Sequence, residues 1–373
     1  MRIGFISTYP PIECGIATYT KYLTDEIKKL NHVVHIISEY GALGERVHTV
    51  YNSQDPDLAY KIFNTAIKLG LEVVHIQHEF GLFGPNRGVN VIPLIYQLKL
   101  SKTPVVITMH TVYDSFTSEN KLLTEALIRS GDKIIVHENY QLESIEKHIG
   151  HFDNITVIPH GVRKVEKIPD AKLRLGLEGK KVILLLGYFR PSKNFETIIE
   201  LFPKIKEKVK ESILVVAGDI RLNENIDYTE KLVRLINESP AKDSIKFFKS
   251  KFPQEVFDTF VSSADVAVLP YKVSSQSGIM AHFLAFGIPL VTSDLKVFTE
   301  IFKESRCGLI SKTDEDYVNN IVKILTDDRL RNSLSEEALK RVNSKLRWDI
   351  VAKNTVKIYE DLKNSYFQTL PYQ

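Results

Sequence analysis

The sequence predicts two consecutive α/β domains, each built on a parallel β-sheet. Short β-branched runs alternate with amphipathic helical segments, and this alternation restarts near the middle of the chain. A length of 373 residues also exceeds what a single ordinary core organises. A hydrophobic content of 43% and a charged content of 25% are typical of a globular protein.

Strands are predicted wherever a short run is rich in β-branched residues. The first set of these runs covers residues 2–7, 33–38, 73–77, 104–109, 133–137 and 155–159. Helical patterns lie between several of them, for example over residues 16–30. The second set covers residues 182–187, 212–218, 244–248, 266–270 and 289–293. A polar, proline-marked stretch over 160–180 separates the two sets and is interpreted as a linker, which places the domain boundary near residue 165.

The composition excludes some partners and compartments. A net charge of +3, without an arginine-rich run interleaved with aromatics, argues against nucleic acid. Cys14 and Cys307 lack metal-ligand spacing and indicate free thiols in a reducing compartment. The first residues show no secretory signal pattern, so we expect a cytoplasmic protein. Basic-hydrophobic character over 26–34 and 96–104 is compatible with peripheral contact at the inner face of a membrane.

Candidate functional residues follow the predicted strands, because parallel sheets bind ligands outside the carboxyl ends of their strands. These residues are Gly15, His78, His110, His137, His160, Arg190, Lys193, Gly218 and the segment 274–278. For His137 and His160, turn hydrogen bonding is an equally good interpretation, and His75 alternates within its strand and is expected to be packed.

The segment SSQSG (274–278) leads directly into an apolar helical pattern. Free N–H groups of a first helical turn and the helix macrodipole favour an anion there, and Gly278 lets a ligand approach the backbone. The alternative is simple N-capping by Ser277. The turn after 182–187 carries Arg190, whose planar fork suits phosphate, and Lys193, a mobile point charge. Together these features predict a diphosphate site, although solvated surface cations are the usual fate of such side chains.

Beyond these features, the sequence resembles the glycosyltransferases of family 4, the retaining, metal-independent group with the two-domain GT-B architecture. The resemblance spans most of the chain and rests on several motifs in order: YPPIECGIATYTKYL (9–23), VVHIQHEFGLFG (73–84), VVITMHTVYDSF (105–116), VIPHGV (157–162), GYFRPSKNFE (187–196), AFGIPLVTS (285–293) and LRWDIVAKNTVKIYEDL (346–362).

The resemblance implies two Rossmann-like domains facing across a cleft. Residues 1–165 would form the acceptor-side domain, 166–345 the nucleotide-sugar domain, and 346–373 a C-terminal helix returning to the first domain. The reaction implied is transfer of a hexose from a nucleotide-sugar donor, of the UDP or GDP type, to a sugar or lipid-linked acceptor. Neither a cofactor nor a metal is implied.

The resemblance also assigns roles to individual residues. Arg190 and Lys193 would bind the donor diphosphate and stabilise the leaving group, and His110 would lie near the transferred sugar as a hydrogen-bond partner. The other implied donor-binding residues are Gly15, Ser277, Gly278, Ile279 and His282. His78 and Glu79 are assigned to the acceptor side.

One departure from the family pattern concerns two glutamates of the donor helix region, whose positions are occupied here by Ser274 and His282. Two alternatives therefore remain: a nucleotide-sugar epimerase of the same fold, and a non-catalytic nucleotide-binding subunit. The aspartate pairs in 55–57 and 314–316 fit a metal-binding D-x-D pattern but are interpreted as solvated loops. A dinucleotide-binding oxidoreductase is unlikely because no G-x-G-x-x-G follows an early strand.

Overall fold

The computed structural model describes residues 1–220, 225–274 and 277–368. The chain forms two compact units, the first comprising Met1–Gly161 with Lys345–Gln373 and the second Val162–Ser344. The change of unit therefore falls after residue 161, whereas the sequence placed it after residue 165. None of the described helices is long and apolar enough to cross a membrane.

The first unit is built on a seven-stranded, wholly parallel sheet in the order β3-β2-β1-β4-β5-β6-β7. Its strands are β1 (Arg2–Ile6), β2 (Val33–Glu39), β3 (Val47–Tyr51), β4 (Val73–His78), β5 (Val105–Met109), β6 (Lys133–Val136) and β7 (Ile155–Val157). Its helices before the change of unit are α1 (Gly15–Lys29), α2 (Leu58–Lys68), α3 (Pro85–Gly88), α4 (Val91–Leu100), α5 (Ser118–Ser130) and α6 (Asn139–His148).

The second unit contains a six-stranded parallel sheet in the order β10-β9-β8-β11-β12-β13. Its strands are β8 (Lys181–Leu186), β9 (Ser212–Gly218), β10 (Ile245–Lys249), β11 (Val266–Leu269), β12 (Leu290–Ser293) and β13 (Gly308–Ser311). Its α-helices are α7 (Ala171–Arg174), α8 (Phe195–Lys208), α9 (Ile226–Glu238), α10 (Gln254–Ser263), α11 (Gly278–Ala285), α12 (Lys296–Glu304), α13 (Asp314–Thr326) and α14 (Asp328–Arg341). Short 3₁₀ turns cover Pro191–Lys193 and Lys242–Ser244.

The central strands β4 and β9 are buried along their whole length. Such continuous burial is expected where helices cover both faces of a parallel sheet. In each unit the strand order reverses beside the first strand, between β1 and β4 and between β8 and β11. Ligands of doubly wound sheets bind at this switch point, so the turns that follow β8 and β11 are the positions to inspect in the second unit.

The last helix, α15 (Trp348–Gln368), follows a π-helical turn over Val342–Leu346 and packs on the first unit. Trp348 and Tyr359 are buried in the same apolar cluster as Phe5 and Leu23. The Tyr359 hydroxyl lies 2.6 Å from His75 Nδ1 in the sheet, so a polar contact fixes the helix as well as apolar packing.

The predicted fold class, two Rossmann-like parallel-sheet domains with a returning C-terminal helix, is confirmed. The sequence prediction missed β3 and β13, and both are edge strands. Edge strands are short and less apolar than central ones, so their sequence signal is weak. The 160–180 stretch interpreted as a linker also contains the single-turn helix α7.

Candidate active site

Two of the segments predicted for the donor site lie side by side at the switch point of the second unit. Arg190 and Lys193 belong to the turn after β8, and α11 begins at Gly278 after β11. A Cβ added to Gly187 at the end of β8 would lie 3.5 Å from Ile279 Cγ1, which places the two segments side by side. Residues 275 and 276 of the SSQSG turn lie outside the described residues.

Lys193 is a cation that no carboxylate neutralises within the described part of the chain. Its Nζ lies 3.6 Å from the centre of the Tyr271 ring. Burial, and then the charge of Arg190, lower the pKa of Lys193 to about 8. Arg190 Cζ in turn lies 5.7 Å from the Tyr188 ring. An anion bound beside Lys193 would raise this pKa again and relieve the electrostatic cost of the site.

The start of α11 combines a cap with an open approach. Ser277 Oγ accepts a hydrogen bond from Met280 N–H at 3.2 Å, so the capping interpretation of this serine is confirmed. Capping uses one first-turn amide, while the amides of Gly278 and Ile279 have no intrahelical acceptor, as at any helix N-terminus. A Cβ on Gly278 would meet no atom within 4 Å, and packing in the described structure therefore does not require a glycine there.

His282, at one of the two positions where the family has glutamate, lies on the half-exposed side of α11. Its ring packs edge-on against Phe257 of α10, with 5.1 Å between ring centres. An imidazole can exchange hydrogen bonds with a hydroxyl but supplies no carboxylate, so any ligand contact at this position differs chemically from that of a glutamate.

A buried carboxylate that binds several side chains near the turn after β8 was not predicted from the sequence. Glu196, buried in the first turn of α8, accepts hydrogen bonds from Lys231 at 3.3 Å, Lys272 at 3.2 Å and the Tyr228 hydroxyl. The backbone N–H of Lys272 also donates to Ser192 O at 2.9 Å. These contacts tie the turn after β8 to the segment after β11. The partners are 32 to 76 residues apart, and nothing in the sequence spacing links them.

Gly218, another strand-end candidate, has a packing explanation. A Cβ at this position would lie 1.9 Å from the carbonyl oxygen of Gly187 on the neighbouring strand end. The glycine is therefore required by the close approach of two backbones.

In the first unit, His110 follows β5 and is almost fully buried. Its Nε2 lies 2.8 Å from Gln77 Oε1, and its Nδ1 lies 3.4 Å from His137 Nε2. Burial lowers the pKa of His110 well below its ordinary value, so the ring is neutral. Because both nitrogens face neighbours within the unit, the hydrogen bond to a sugar assigned to His110 requires one of these contacts to be exchanged.

His110 belongs to a buried aromatic cluster that sequence reasoning did not find. The Tyr19 ring centre lies 4.7 Å from His110, 5.4 Å from His137, 5.1 Å from His160 and 5.0 Å from Trp348. Burial lowers the pKa of His137 to about 3 and that of His160 to about 4. The members come from five separate segments of the chain, and only the fold brings them together.

His137 and His160 also make the backbone hydrogen bonds anticipated for them. His137 Nδ1 donates to Ile158 O at 2.9 Å, and His160 Nδ1 donates to Gly161 O at 2.7 Å. His75 is fully buried, as expected, between Tyr359 and Thr108.

The acceptor-side candidates follow β4. His78 is buried with its pKa lowered by burial to about 4, and it stacks on Phe83. Glu79 Oε2 accepts from the Thr111 hydroxyl at 2.5 Å, and burial raises the pKa of this carboxyl. The loop beyond places Phe83, Asn86 and Arg87 at φ values of 61°, 58° and 61°. Left-handed non-glycine residues cost energy and concentrate at functional loops.

Gly15 is the first residue of α1, where it is exposed and where an added Cβ would meet no atom within 4 Å. In this respect it matches Gly278, because each glycine is the first residue of a helix and has no side chain packed over it in the described structure.

The aspartate pairs lie at helix starts. Asp55 pairs with Lys61 at 2.8 Å, and Asp57 occupies the N-cap position of α2. Asp316 forms a capping box with Thr313 at the start of α13. Among the described residues no cluster of three histidine, cysteine or carboxylate side chains is arranged to hold a metal ion.

Comparison with known proteins matches both units to glycosyltransferases. The family model for glycosyltransferase family 4 matches residues 14–164, and that for glycosyl transferases group 1 matches residues 168–341. Alpha-monoglucosyldiacylglycerol synthase of Streptococcus pneumoniae is 24% identical over 375 residues, covering 90% of this chain and 81% of the relative.

Solved structures show the same fold. Sucrose-phosphate synthase from Thermosynechococcus elongatus superposes with a TM-score of 0.79 at 15% identity, covering 98% of this chain and all of that one. Anabaena Alr3699/HepE, solved in complex with UDP and glucose, superposes with a TM-score of 0.76 at 13% identity, covering 97% of this chain and all of that one.

Proposed function

Because the chain belongs to the glycosyltransferases of family 4, we propose that it transfers a hexose from a UDP- or GDP-type sugar to a sugar or lipid-linked acceptor, with retention of configuration. The observation that carries this proposal is Lys193, a half-buried cation beside Arg190 without a carboxylate partner in the described residues. A donor diphosphate supplies the missing negative charge.

The proposed roles of these cations follow from the place where negative charge develops during transfer. When the bond between the anomeric carbon and the phosphate oxygen breaks, negative charge accumulates on the departing nucleoside diphosphate. Lys193 and Arg190 lie at the end of β8, and the first-turn amides of Gly278 and Ile279 at the start of α11, where together they can stabilise that charge. The side chains are held before the substrate arrives, so little reorganisation is needed during reaction.

The acceptor is assigned to the first unit. Glu79, hydrogen-bonded by Thr111, is a half-buried oxygen acceptor at the end of β4 and is suited to binding a hydroxyl. The S. pneumoniae relative is named as a synthase of a glycolipid, which supports a lipid-linked acceptor. Tyr96 and Leu100 are 56% and 86% exposed near Lys99 and Lys102, a combination suited to an anionic membrane surface.

Transfer itself tests the proposal. The protein is incubated with a panel of UDP-, GDP- and ADP-sugars and with sugar or glycolipid acceptors, in parallel with and without EDTA. NMR then reads the configuration of the new linkage. We expect an acceptor-dependent product that keeps the donor's anomeric configuration.

Other outcomes contradict the proposal in distinct ways. Release of an epimerised sugar without acceptor would identify the epimerase alternative. Nucleotide binding without turnover on any acceptor would favour the non-catalytic subunit, and loss of transfer in EDTA would contradict a metal-independent reaction.

A further inference from the structure

The Tyr271 ring lies directly beneath the proposed phosphate-binding lysine. Lys193 Nζ is 3.6 Å from the ring centre, close enough for a strong cation–π contact. Tyr271 is only 2% exposed, so little water competes for the ammonium on that side. Within the described structure, this half-buried ammonium therefore rests on an aromatic face.

The ring itself is held from several directions. Tyr271 comes two residues after β11 and packs against Phe298 of α12, with 5.8 Å between ring centres. The next residue, Lys272, donates its backbone N–H to Ser192 O and its ammonium to Glu196. The ring and the turn that carries Lys193 are thus fixed to one another by contacts that do not involve Lys193.

An aromatic face differs from a carboxylate because it leaves the charge of the lysine available to a ligand. A carboxylate would neutralise Lys193 and compete with an incoming phosphate for the same charge. The ring orients the ammonium through its quadrupole and keeps the full positive charge available for a bound anion. A rigid neutral support is therefore well suited to a cation that must bind phosphate.

We propose that Tyr271 is a positioning residue that holds Lys193, through its ring face, at the site of the donor diphosphate. The inference rests on the proposed function, because it requires that a nucleoside diphosphate binds beside Lys193. Tyr271 acts through Lys193 and need not contact the sugar. Its loss should therefore weaken nucleotide affinity, and it should also lower the rate at saturating donor, because Lys193 stabilises the leaving group.

The test weakens the negative potential on the ring face at position 271 in steps while a planar ring is kept there. Position 271 is replaced by Phe, trifluorophenylalanine and pentafluorophenylalanine, and the dissociation constants of UDP and GDP are measured by titration calorimetry. We expect Tyr271→Phe to match the wild type. Affinity should then fall stepwise with fluorination, by roughly two- to thirtyfold over the series. All three replacements keep a planar six-membered ring at position 271, and thermal unfolding checks that each variant is folded before its affinity is compared.

A double-mutant cycle shows whether the effect passes through Lys193. In a Lys193→Arg background the cation is retained, and a graded response to fluorination should persist. In a Lys193→Met background the series should be flat, and fluorination of a ring without a cation should change nothing further.

The outcomes separate this inference from the function on which it rests. If the wild type binds no nucleoside diphosphate, both are overturned. If the wild type binds one and affinity stays constant across the fluorinated series, Tyr271 is only a packing residue and this inference alone is overturned. A fall of equal size in the Lys193→Met background would also overturn it.

Discussion

At the scale of single residues, Lys193 shows a conflict between stability and binding. Burial and the neighbouring Arg190 depress the pKa of Lys193 from 10.5 to about 8. A lysine whose folded pKa is depressed destabilises the fold most below that pKa, and the cost disappears as pH rises towards the unfolded value. The free protein thus carries an unfavourable charge that a bound phosphate would offset.

Replacement of Lys193 by Met should therefore raise the stability of the free protein while it weakens nucleotide binding. At pH 7 we expect Lys193→Met to raise the free energy of unfolding by about 1 kcal/mol, because the buried charge is removed while the aliphatic stem is kept. Denaturant unfolding at pH 7 and pH 10 measures the effect, and the gain should shrink at the higher pH. A variant less stable than the wild type at pH 7 would show that the charge is already compensated in the free protein.

A substitution at Gly278 should also separate the effect on stability from the effect on nucleotide binding. The residue opens α11, and an added Cβ would contact nothing in the described structure. Gly278→Ala should thus leave stability unchanged or raise it by about 0.4–1 kcal/mol through the unfolded chain. We expect nucleotide affinity to fall about tenfold, since the methyl group blocks the approach of phosphate to the first-turn amides. Thermal unfolding and calorimetry give the two readouts, and unchanged affinity would remove Gly278 from the site.

At the residue level, one local signal was enough to predict where Lys193 and Gly278 lie, because each follows a strand. The structure places their segments side by side at the switch point, and their role in donor binding stays a prediction. Tyr271 and Glu196 were missed because their partners are distant in sequence. Nothing local distinguishes a tyrosine beneath a lysine from a tyrosine in the core.

At the scale of elements, the returning helix α15 depends on one close contact. A Cβ on Gly161 would lie 2.3 Å from the Trp348 ring, so only glycine lets the first turn of α15 settle there. The sequence indicated this helix by its family resemblance, while the two edge strands β3 and β13 gave too little apolar signal to be predicted.

Gly161→Ala should accordingly displace Trp348 and destabilise the first unit by about 1–3 kcal/mol, the usual cost of overpacking. The matched control is Gly15→Ala, where the new methyl group has no neighbour within 4 Å and stability should hardly change. Denaturant midpoints and tryptophan fluorescence follow both effects, since Trp348 is the protein's single tryptophan. Equal stability of the two variants would contradict the packing described for α15.

At the scale of the whole molecule, acid sensitivity should reside in the first unit. Burial lowers the pKa of five histidines there most strongly, to about 3 for His75 and His137, to about 4 for His78 and His160, and well below its ordinary value for His110. The unfolded chain binds these protons near pH 6.5, so stability is fully present above that pH and falls as pH drops towards 4.

The steepness of this loss is testable. Each buried histidine contributes up to about 1.4 kcal/mol per pH unit below pH 6.5. His160→Asn, which keeps a polar side chain without a titratable group, should flatten the pH dependence of the unfolding free energy. His151→Gln is the control, because His151 is exposed and its carboxylate neighbours raise its pKa. A stability constant between pH 6.5 and pH 4.5 would mean that the histidines are not buried as described.

The central claim is that the second unit binds a nucleoside diphosphate at Lys193, and calorimetric titration with UDP, GDP and ADP tests it most directly. The wild type, Lys193→Met and the control Lys204→Met, an exposed lysine on α8, are compared at pH 7. We expect one of the nucleotides to bind the wild type and the control equally, with affinity at least tenfold weaker in Lys193→Met. Binding that is equal in all three proteins, or absent from the wild type, would contradict the account.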